Sequence, residues 1–228
     1  MVKEKVILCY GDSLTWGEEP GTGRRYPQEV RWTGVLQKEL GSGFRIAEDG
    51  LGGRCTVFDD PWYTCRNGRE SLGYSLNSQK PLSMVILMLG TNDLKVTDPY
   101  GAARGIQTLV RMIKSANSLY PAMSPVFRND PIILIVSPPH FHLDIDKRTC
   151  AAGGNAVRSA LAGKYIQSTM LAGLYESVAK MEGVHFLDAS LYCSGALPDC
   201  VHISAEGHLL LGQAIAQKVK SLFTEYVD

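Results

Sequence analysis

The sequence of 228 residues has no excess of charge of either sign, because 23 lysines and arginines balance 23 aspartates and glutamates. It also has no cluster of basic residues. A basic surface is the usual electrostatic signature of proteins that bind nucleic acid or an anionic membrane. The composition therefore predicts neither a nucleic-acid partner nor a membrane partner.

Long apolar runs are missing as well. No run approaches the ~20 residues that a membrane-spanning helix needs. Residues 1–5 lead directly into the first apolar segment, which leaves no room for the apolar region and cleavage site of a signal peptide. We therefore predict a cytoplasmic protein. Internal repeats and linkers are absent too, so residues 1–228 are expected to form a single domain.

Closely spaced cysteine pairs are lacking, although the chain has six cysteines. Without a secretion signal, all six are predicted to be reduced and mostly buried by packing, Cys200 included. His140 and His142, followed by two aspartates, resemble a metal cluster. Two loop histidines at this spacing are more often solvated, and no partner set lies nearby, so no metal is predicted.

What the sequence does contain is a regular alternation of apolar runs and amphipathic segments. Strands are predicted over residues 6–10, 44–48, 84–89, 131–137 and 184–188. Helices are predicted over residues 30–40, 71–79, 101–117 and 156–181, the last with Met170 facing the core, and a final helix follows Ser204. Strands separated by helices predict an α/β fold, a three-layer α/β/α architecture with a flavodoxin-like parallel sheet of five strands in the order 2-1-3-4-5.

Two segments between these elements are predicted to be loops. Residues 18–25 are polar and rich in glycine and proline, which is typical of a surface loop. Residues 138–155 are too many and too polar for an ordinary connection, so we expect a functional or interface loop.

Residues that could take part in catalysis follow the predicted strands. Ser13 comes directly after the first strand, a glycine-rich loop over 50–54 follows the second, and Asn92 follows the third. Asp199 and His202 come from the far end of the chain. In the predicted strand order, the carboxyl ends of the strands surround one crevice, where open α/β sheets bind ligands.

These residue types suit acyl transfer. A serine hydroxyl is a weak nucleophile until a base takes its proton, and His202 is the candidate base for Ser13. Asp199 would orient the imidazole ring and stabilise its protonated form. The developing oxyanion needs donors, for which the backbone N–H groups of Ser13 and Gly53 and the side-chain amide of Asn92 are the candidates.

Four motifs together resemble the signature blocks of the GDSL, or SGNH, hydrolase family: Gly11-Asp12-Ser13-Leu14, a glycine in the second loop, Gly90-Thr91-Asn92-Asp93 and Asp199-Cys200-Val201-His202. They occur in the family's order and cover nearly the whole chain. The resemblance implies hydrolysis of small carboxylic esters without metal or organic cofactor. It places the nucleophile on Ser13, the acid and base on Asp199 and His202, and the oxyanion donors on Ser13, Gly53 and Asn92.

Residues 12–17 and 31–36 further resemble the bacterial arylesterase and acyltransferase branch, whose members often form closed oligomers. A homo-oligomer is therefore expected, with loops that narrow the crevice. Trp16, three residues after the nucleophile, is predicted to line a small acyl pocket that favours short groups such as acetate. Gly52-Gly53 stands where members of that branch have a pair of small residues other than glycine. This difference leaves open which of the two glycines donates its N–H to the oxyanion.

Several alternatives stay open at this stage. Asp188 also ends a strand and is a weaker candidate for the triad acid. Arg54 either holds its loop or binds an anionic substrate group. The same acyl-enzyme also serves acyltransferases, in which an alcohol or peroxide replaces water. A non-catalytic flavodoxin-like binding module is the alternative from a different class, although Asp12 would repel a phosphate in the first loop.

Overall fold

A computed structural model describes residues 4–120, 124–147 and 160–225. Its five strands form one sheet in the order β2-β1-β3-β4-β5, and every neighbouring pair is parallel. The strands are β1 (Lys5–Gly11), β2 (Phe44–Gly50), β3 (Leu82–Met88), β4 (Phe127–Ser137) and β5 (His185–Asp188). The predicted fold class and strand order are confirmed.

Helices cover both faces of this sheet. They are α1 (Ser13–Trp16), α2 (Trp32–Leu40), α3 (Gly68–Gln79), α4 (Pro99–Lys114), α5 (Ala116–Leu119), α6 (Tyr165–Glu182) and α7 (Ala205–Glu225). Helices α3, α4 and α6 pack on one face, and α2 and α7 pack on the other. No helix in the described ranges is long and apolar enough to cross a bilayer.

Two hydrophobic cores result from the alternation of side chains along the strands. In β1, Leu8 and Tyr10 point into the core beneath α3, α4 and α6, whereas Ile7 and Cys9 point into the core beneath α2 and α7. Because both faces are covered, every residue of such a strand has to be apolar. This is why the central strands are readable as continuous apolar runs.

Strand β4 begins four residues earlier than predicted and passes through Pro131. The register of its pairing with β3 shifts between Leu82 and Met84, opposite this segment. Proline cannot donate to a ladder and is tolerated where pairing is interrupted. The shift therefore explains how the strand continues past Pro131, where the sequence predicted its start.

The predicted burial of Met170 is wrong, because its side chain is 37% exposed. Leu171 and Tyr175 of α6 are buried instead, and the Tyr175 hydroxyl donates to the Leu89 carbonyl at 2.9 Å. Met170 and Leu171 are neighbours, so the prediction misses the buried position by one residue here. Residues 148–159, which contain part of the predicted 138–155 loop and the predicted helix start, lie outside the described residues.

Candidate active site

Ser13 lies at the carboxyl end of β1, as the first residue of α1. Asp12 caps this helix, since its carboxylate accepts from the Leu14 N–H at 2.9 Å. A side chain at Gly11 would lie 2.0 Å from Thr15 Oγ1, so only glycine permits this turn. The strand and the short helix together hold Ser13 at the edge of the sheet, where it is 6% exposed.

The structure brings His202 and Asp199 to Ser13 from the loop before α7. His202 Nε2 lies 2.9 Å from Ser13 Oγ, and His202 Nδ1 lies 2.9 Å from Asp199 Oδ2. Asp199 Oδ1 also accepts from the backbone N–H groups of Val201 at 2.9 Å and His202 at 2.8 Å. The Asp199 carboxylate thus stabilises the predicted turn that brings Asp199 and His202 together.

Hydrogen bonding sets the charge state of this pair. Burial by itself raises the pKa of Asp199, but its hydrogen bond to His202 and its backbone donors outweigh burial and lower the pKa to about 2. Burial by itself lowers the pKa of His202, but the hydrogen bond to Asp199 and the charge of Glu18 outweigh it and raise the pKa. An ionised acid therefore faces the Nδ1 edge of the imidazole ring.

Asp188, the alternative acid, has other partners. Its Oδ1 accepts from Ser137 Oγ at 3.1 Å and from the Ser190 N–H at 2.9 Å, which caps the 3-10 helix Ala189–Leu191. The carboxylate that bonds to His202 is that of Asp199. The geometry therefore favours Asp199 over Asp188.

The glycine-rich loop forms a tight turn beside this group. The Arg54 N–H donates to the Leu51 carbonyl at 3.0 Å, so that Gly52 and Gly53 occupy the two central positions. Gly53 has φ +81°, a left-handed conformation that suits glycine in the third position of such a turn. The backbone conformation of the turn therefore explains why residue 53 is a glycine. The role of Gly53 as an oxyanion donor stays a prediction, and the choice between Gly52 and Gly53 stays open.

Asn92 begins the 3-10 helix Asn92–Lys95 after β3 and is 3% exposed. Its Nδ2 atom lies 3.2 Å from Asp12 Oδ2 and 3.3 Å from the Arg54 carbonyl oxygen. The side-chain amide therefore links the nucleophile loop to the glycine-rich loop. Its role as an oxyanion donor stays a prediction.

Arg54 holds its loop, one of the two roles that the sequence left open. Its Nη1 donates to the carbonyls of Gly11 at 2.9 Å and Asp49 at 2.8 Å, and its Nη2 donates to Asp49 Oδ1 at 2.8 Å. The guanidinium also lies 4.1 Å from the centre of the Tyr10 ring. With 4% exposure, this side chain serves the packing of the loops against β1.

Sequence reasoning missed a buried acid behind the site. Asp93 is fully buried and accepts from the Thr56 N–H at 3.1 and 3.0 Å and from the Thr56 hydroxyl. Burial raises the pKa of Asp93 to about 7 and that of Asp12 to about 6. In the sequence, the cue to this residue was an acid directly after Asn92. In the structure, Asp93 joins Thr56, which follows the glycine-rich turn, to the segment after β3.

Glu18 was also missed. Its Oε2 lies 3.4 Å from His202 Nε2, the ring nitrogen that faces Ser13. In the sequence, Glu18 belongs to the polar stretch that predicts a surface loop, and nothing in that pattern distinguishes it from Glu19. The same loop brings the Gly21 N–H to Asp199 Oδ2 at 2.5 Å.

Trp16 is half-buried at the end of α1, and the Arg25 guanidinium lies 5.3 Å from its ring centre. The Arg25 Nε also donates to the Trp16 carbonyl at 2.7 Å. The role of Trp16 in an acyl pocket stays a prediction.

His142 Nδ1 accepts from the Asp144 N–H at 3.1 Å, and within the described ranges no three histidine, cysteine or acidic side chains group as metal ligands.

Cys200 corrects the expectation of a reduced packing residue. It is fully buried and forms a disulfide. The spacing of the cysteines gave no sign of this bond, because disulfide pairing depends on Cα separation in the fold and not on sequence distance. Disulfides are uncommon in reducing compartments, so the cysteines no longer support the cytoplasmic prediction.

Comparisons with known proteins show the family to which this chain is similar. The model of the family described as GDSL-like Lipase/Acylhydrolase matches residues 9–210. Est24, a carbohydrate acetylesterase from Sinorhizobium meliloti, is 37% identical with a TM-score of 0.85, over 96% of this chain and 100% of that one. A putative arylesterase from Agrobacterium tumefaciens is 36% identical with a TM-score of 0.82, over 95% and 99%. The aryl esterase of M. smegmatis is 35% identical with a TM-score of 0.82, over 96% and 99%. No curated protein sequence gives a significant match.

Proposed function

The chain belongs to the GDSL-like lipase/acylhydrolase family and is a carboxylic ester hydrolase, and from this we propose that it hydrolyses short-chain esters through an acyl-enzyme on Ser13. One observation carries the proposal. Ser13 Oγ lies 2.9 Å from His202 Nε2, and the opposite ring nitrogen is bonded to the Asp199 carboxylate. This is the arrangement of nucleophile, base and orienting acid that serine acyl transfer requires.

Acylation begins when Ser13 Oγ forms a bond to the ester carbonyl carbon and its proton passes to His202 Nε2. The tetrahedral intermediate then loses the bond between that carbon and the alcohol oxygen. His202 returns the proton to the leaving oxygen, so that a neutral alcohol departs. Water, activated by the same nitrogen, releases the acid from Ser13. Throughout, Asp199 keeps the proton of His202 on Nδ1 and offsets the positive charge of the ring.

The oxyanion of the intermediate needs donors that are already in place. Ser13 and the Gly52–Gly53 turn would supply backbone N–H groups, and Asn92 would supply its amide. The contacts that hold Asn92, at 3.2 and 3.3 Å, are long for hydrogen bonds to an amide. An oxyanion at a shorter distance would form a stronger bond, which suits a donor whose stabilisation grows in the transition state.

Short acyl groups are the proposed substrates. Trp16 lies one helical turn from Ser13 in α1, so that the two share a helix face, and its ring is held by Arg25. Similar proteins described as a carbohydrate acetylesterase and aryl esterases support acetyl and aryl esters as the class. The homo-oligomer and the cytoplasmic location stay predictions.

The test is the Ser13→Ala variant. Removal of the nucleophile is expected to lower turnover of p-nitrophenyl acetate by about 10⁴–10⁶-fold, as triad deletions do in other serine hydrolases. Covalent labelling by a fluorophosphonate should disappear in the same variant, and p-nitrophenyl esters of increasing chain length should show best turnover at acetate.

Ser221→Ala is the matched control, because this exposed serine on α7 donates to the Lys218 carbonyl of its own helix. It should keep both activity and labelling. Persistent labelling of Ser13→Ala, or activity within tenfold of the parent, would remove Ser13 from the proposed role.

A further inference from the structure

Glu18 is an acid that lies beside His202 of the candidate site. Neighbouring carboxylates are paired: Glu19 bonds to Arg24 at 3.0 Å, and Glu48 bonds to Arg25. Across the described ranges, by contrast, no lysine or arginine forms an ion pair with Glu18. Its side chain is 23% exposed, and Oε2 lies 3.4 Å from His202 Nε2.

The backbone fixes Glu18 at this place. Its N–H donates to the carbonyl of Ser13 at 3.0 Å, so that the residue is bonded to the nucleophile's own helix. Gly17 makes the turn with φ +84°, and Glu18 then pairs with Arg25 in an antiparallel bridge. The Tyr26 N–H closes the segment on the Gly17 carbonyl at 2.8 Å. The carboxylate is therefore placed by a small, hydrogen-bonded hairpin.

We propose that Glu18 is a specificity-determining residue that faces the leaving alcohol, favours alcohols with a hydroxyl group next to the ester oxygen and discriminates against anionic alcohols. The proposal rests on the ester hydrolysis proposed above. In that reaction the leaving oxygen takes its proton from His202 Nε2 and so passes within hydrogen-bond distance of this atom. Glu18 Oε2 is the carboxylate oxygen next to Nε2.

Two physical effects give the selectivity. A carboxylate only accepts hydrogen bonds, so a hydroxyl next to the ester oxygen can donate to Glu18 while the ester binds Ser13. A negative charge on the alcohol meets a like charge in a partly dehydrated crevice, where repulsion is screened less than in water. A polyhydroxy alcohol, such as a sugar bearing an acetyl group, fits both conditions.

The same carboxylate acts on His202 through space. Three acids face this imidazole: Asp199 from its own loop, Glu18 from the hairpin after α1, and Asp12 from the end of β1. The fourth titratable neighbour, His208 of α7, has its pKa lowered by burial to about 3 and is neutral at working pH. Removing the charge of Glu18 should therefore lower the pKa of His202.

The first experiment uses Glu18→Gln, which keeps the shape and removes the charge. Its kcat/KM is compared for 3-acetoxybenzoate and methyl 3-acetoxybenzoate, which differ in the charge of the leaving phenol. The wild type should prefer the neutral ester by about tenfold, and the variant should reduce this preference by about 3–10-fold. The acid limb of the kcat/KM profile should move down by about 0.5–1 pH unit.

The second experiment tests the hydroxyl. The wild type should hydrolyse 2-hydroxyethyl acetate with a kcat/KM about 5–10-fold above that of 2-methoxyethyl acetate, since only the former donates to a carboxylate. In Glu18→Leu, which has no acceptor, the two esters should become equal within about twofold.

Glu19→Gln is the matched control, because it removes the same charge one residue along the chain, from a carboxylate bonded to Arg24. It should keep the wild-type ratios and pH profile. The proposal would be overturned if the kcat/KM ratios of the two ester pairs were the same in the wild type and in both Glu18 variants. It would also be overturned if Glu19→Gln changed these ratios as much as Glu18→Gln does. The Ser13→Ala experiment separates the two ideas: if that variant is inactive while Glu18→Gln behaves as the wild type, only the role of Glu18 is refuted.

Discussion

Asn92 shows how a single side chain in this site serves two loops at once. Its amide contacts the capping acid Asp12 and the carbonyl of Arg54, and it is almost fully buried. An amide in this position adds no charge of its own, yet it is oriented by an acid whose other oxygen caps the nucleophile's helix. Under the proposed role as an oxyanion donor, loss of Asn92 would remove a transition-state contact together with this side-chain link between the loops.

Asn92→Ala is accordingly expected to lower kcat by about 10²–10³-fold with little change in KM, as removal of one oxyanion donor does elsewhere. Steady-state kinetics with p-nitrophenyl acetate measure both constants. The control is Asn117→Ala, since the side chain of Asn117 bonds, among the described residues, to the backbone N–H and carbonyl of Phe127. That variant should lose stability and keep kcat, and a rise in KM alone for Asn92→Ala would make Asn92 a ground-state binding residue.

Among single residues, the sequence predicted those whose side-chain chemistry and surrounding motif both indicate a catalytic role. Ser13, Asp199 and His202 each stand in a short motif, and the turn between Asp199 and His202 is local. Glu18 was not found, because its contact with His202 depends on a hairpin whose path is set by backbone hydrogen bonds. Those bonds leave no trace in side-chain patterning.

At the scale of elements, the packing of α2 against α7 depends on close approach at one glycine. A Cβ atom at Gly212 would lie 2.7 Å from Val35 Cβ and 2.8 Å from the Trp32 carbonyl oxygen. The two helices therefore pack so closely that even a methyl group requires them to move apart. Since α7 follows directly on the loop of His202, its position bears on the site.

Gly212→Ala is expected to destabilise the protein by about 1–3 kcal/mol, although alanine favours helix, because overpacking outweighs propensity. Thermal and urea unfolding measure the change. Gly173→Ala provides the opposite case: this exposed glycine of α6 has open space around the added Cβ, so the variant should gain about 0.5–1 kcal/mol. Stabilisation by both substitutions would show that α2 and α7 are not in close contact at Gly212.

Elements were predictable where one physical signal dominated. The strands stood out because burial on both faces demands apolar residues throughout. The alternation with helices indicated a doubly wound sheet, and the order 2-1-3-4-5, which the structure confirms, was one choice among such layouts. The exposure of Met170 was not predictable, since the buried positions of α6 depend on contacts such as the bond of Tyr175 to the Leu89 carbonyl, 86 residues away. Nor was the path of β4 through Pro131, which depends on a register shift.

For the molecule as a whole, His208 couples stability to pH. It is fully buried, its Nδ1 accepts from the Trp32 N–H at 3.2 Å, and its ring packs edge-on against Tyr26. Burial, and then the charges of His202 and Arg31, lower its pKa from 6.5 to about 3. Below pH 6.5 the unfolded chain binds a proton at this residue that the folded chain does not bind. Stability contributed by neutral His208 is thus present above pH 6.5 and lost as the pH falls toward 3.

His208→Asn, which retains an acceptor for Trp32, should therefore show a weaker acid dependence than the wild type. The difference between their free energies of unfolding is expected to shrink by up to about 1.4 kcal/mol per pH unit below pH 6.5. Urea unfolding at pH 7.5, 6.5, 5.5 and 4.5 gives this difference. The buried acids Asp12 and Asp93, whose raised pKa values act in the opposite sense, are common to both proteins. Parallel curves over this range would contradict the assignment.

The contact between Ser13 and His202 joins positions 189 residues apart. Under the proposed mechanism, a ribosome that has made only the first four strands has therefore made the proposed nucleophile without its base. The emerging chain is catalytically silent until residue 202 has left the exit tunnel and the loop before α7 has closed on β1. Regain of esterase activity during refolding consequently reports completion of the whole sheet, whereas helix content also reports earlier and more local events.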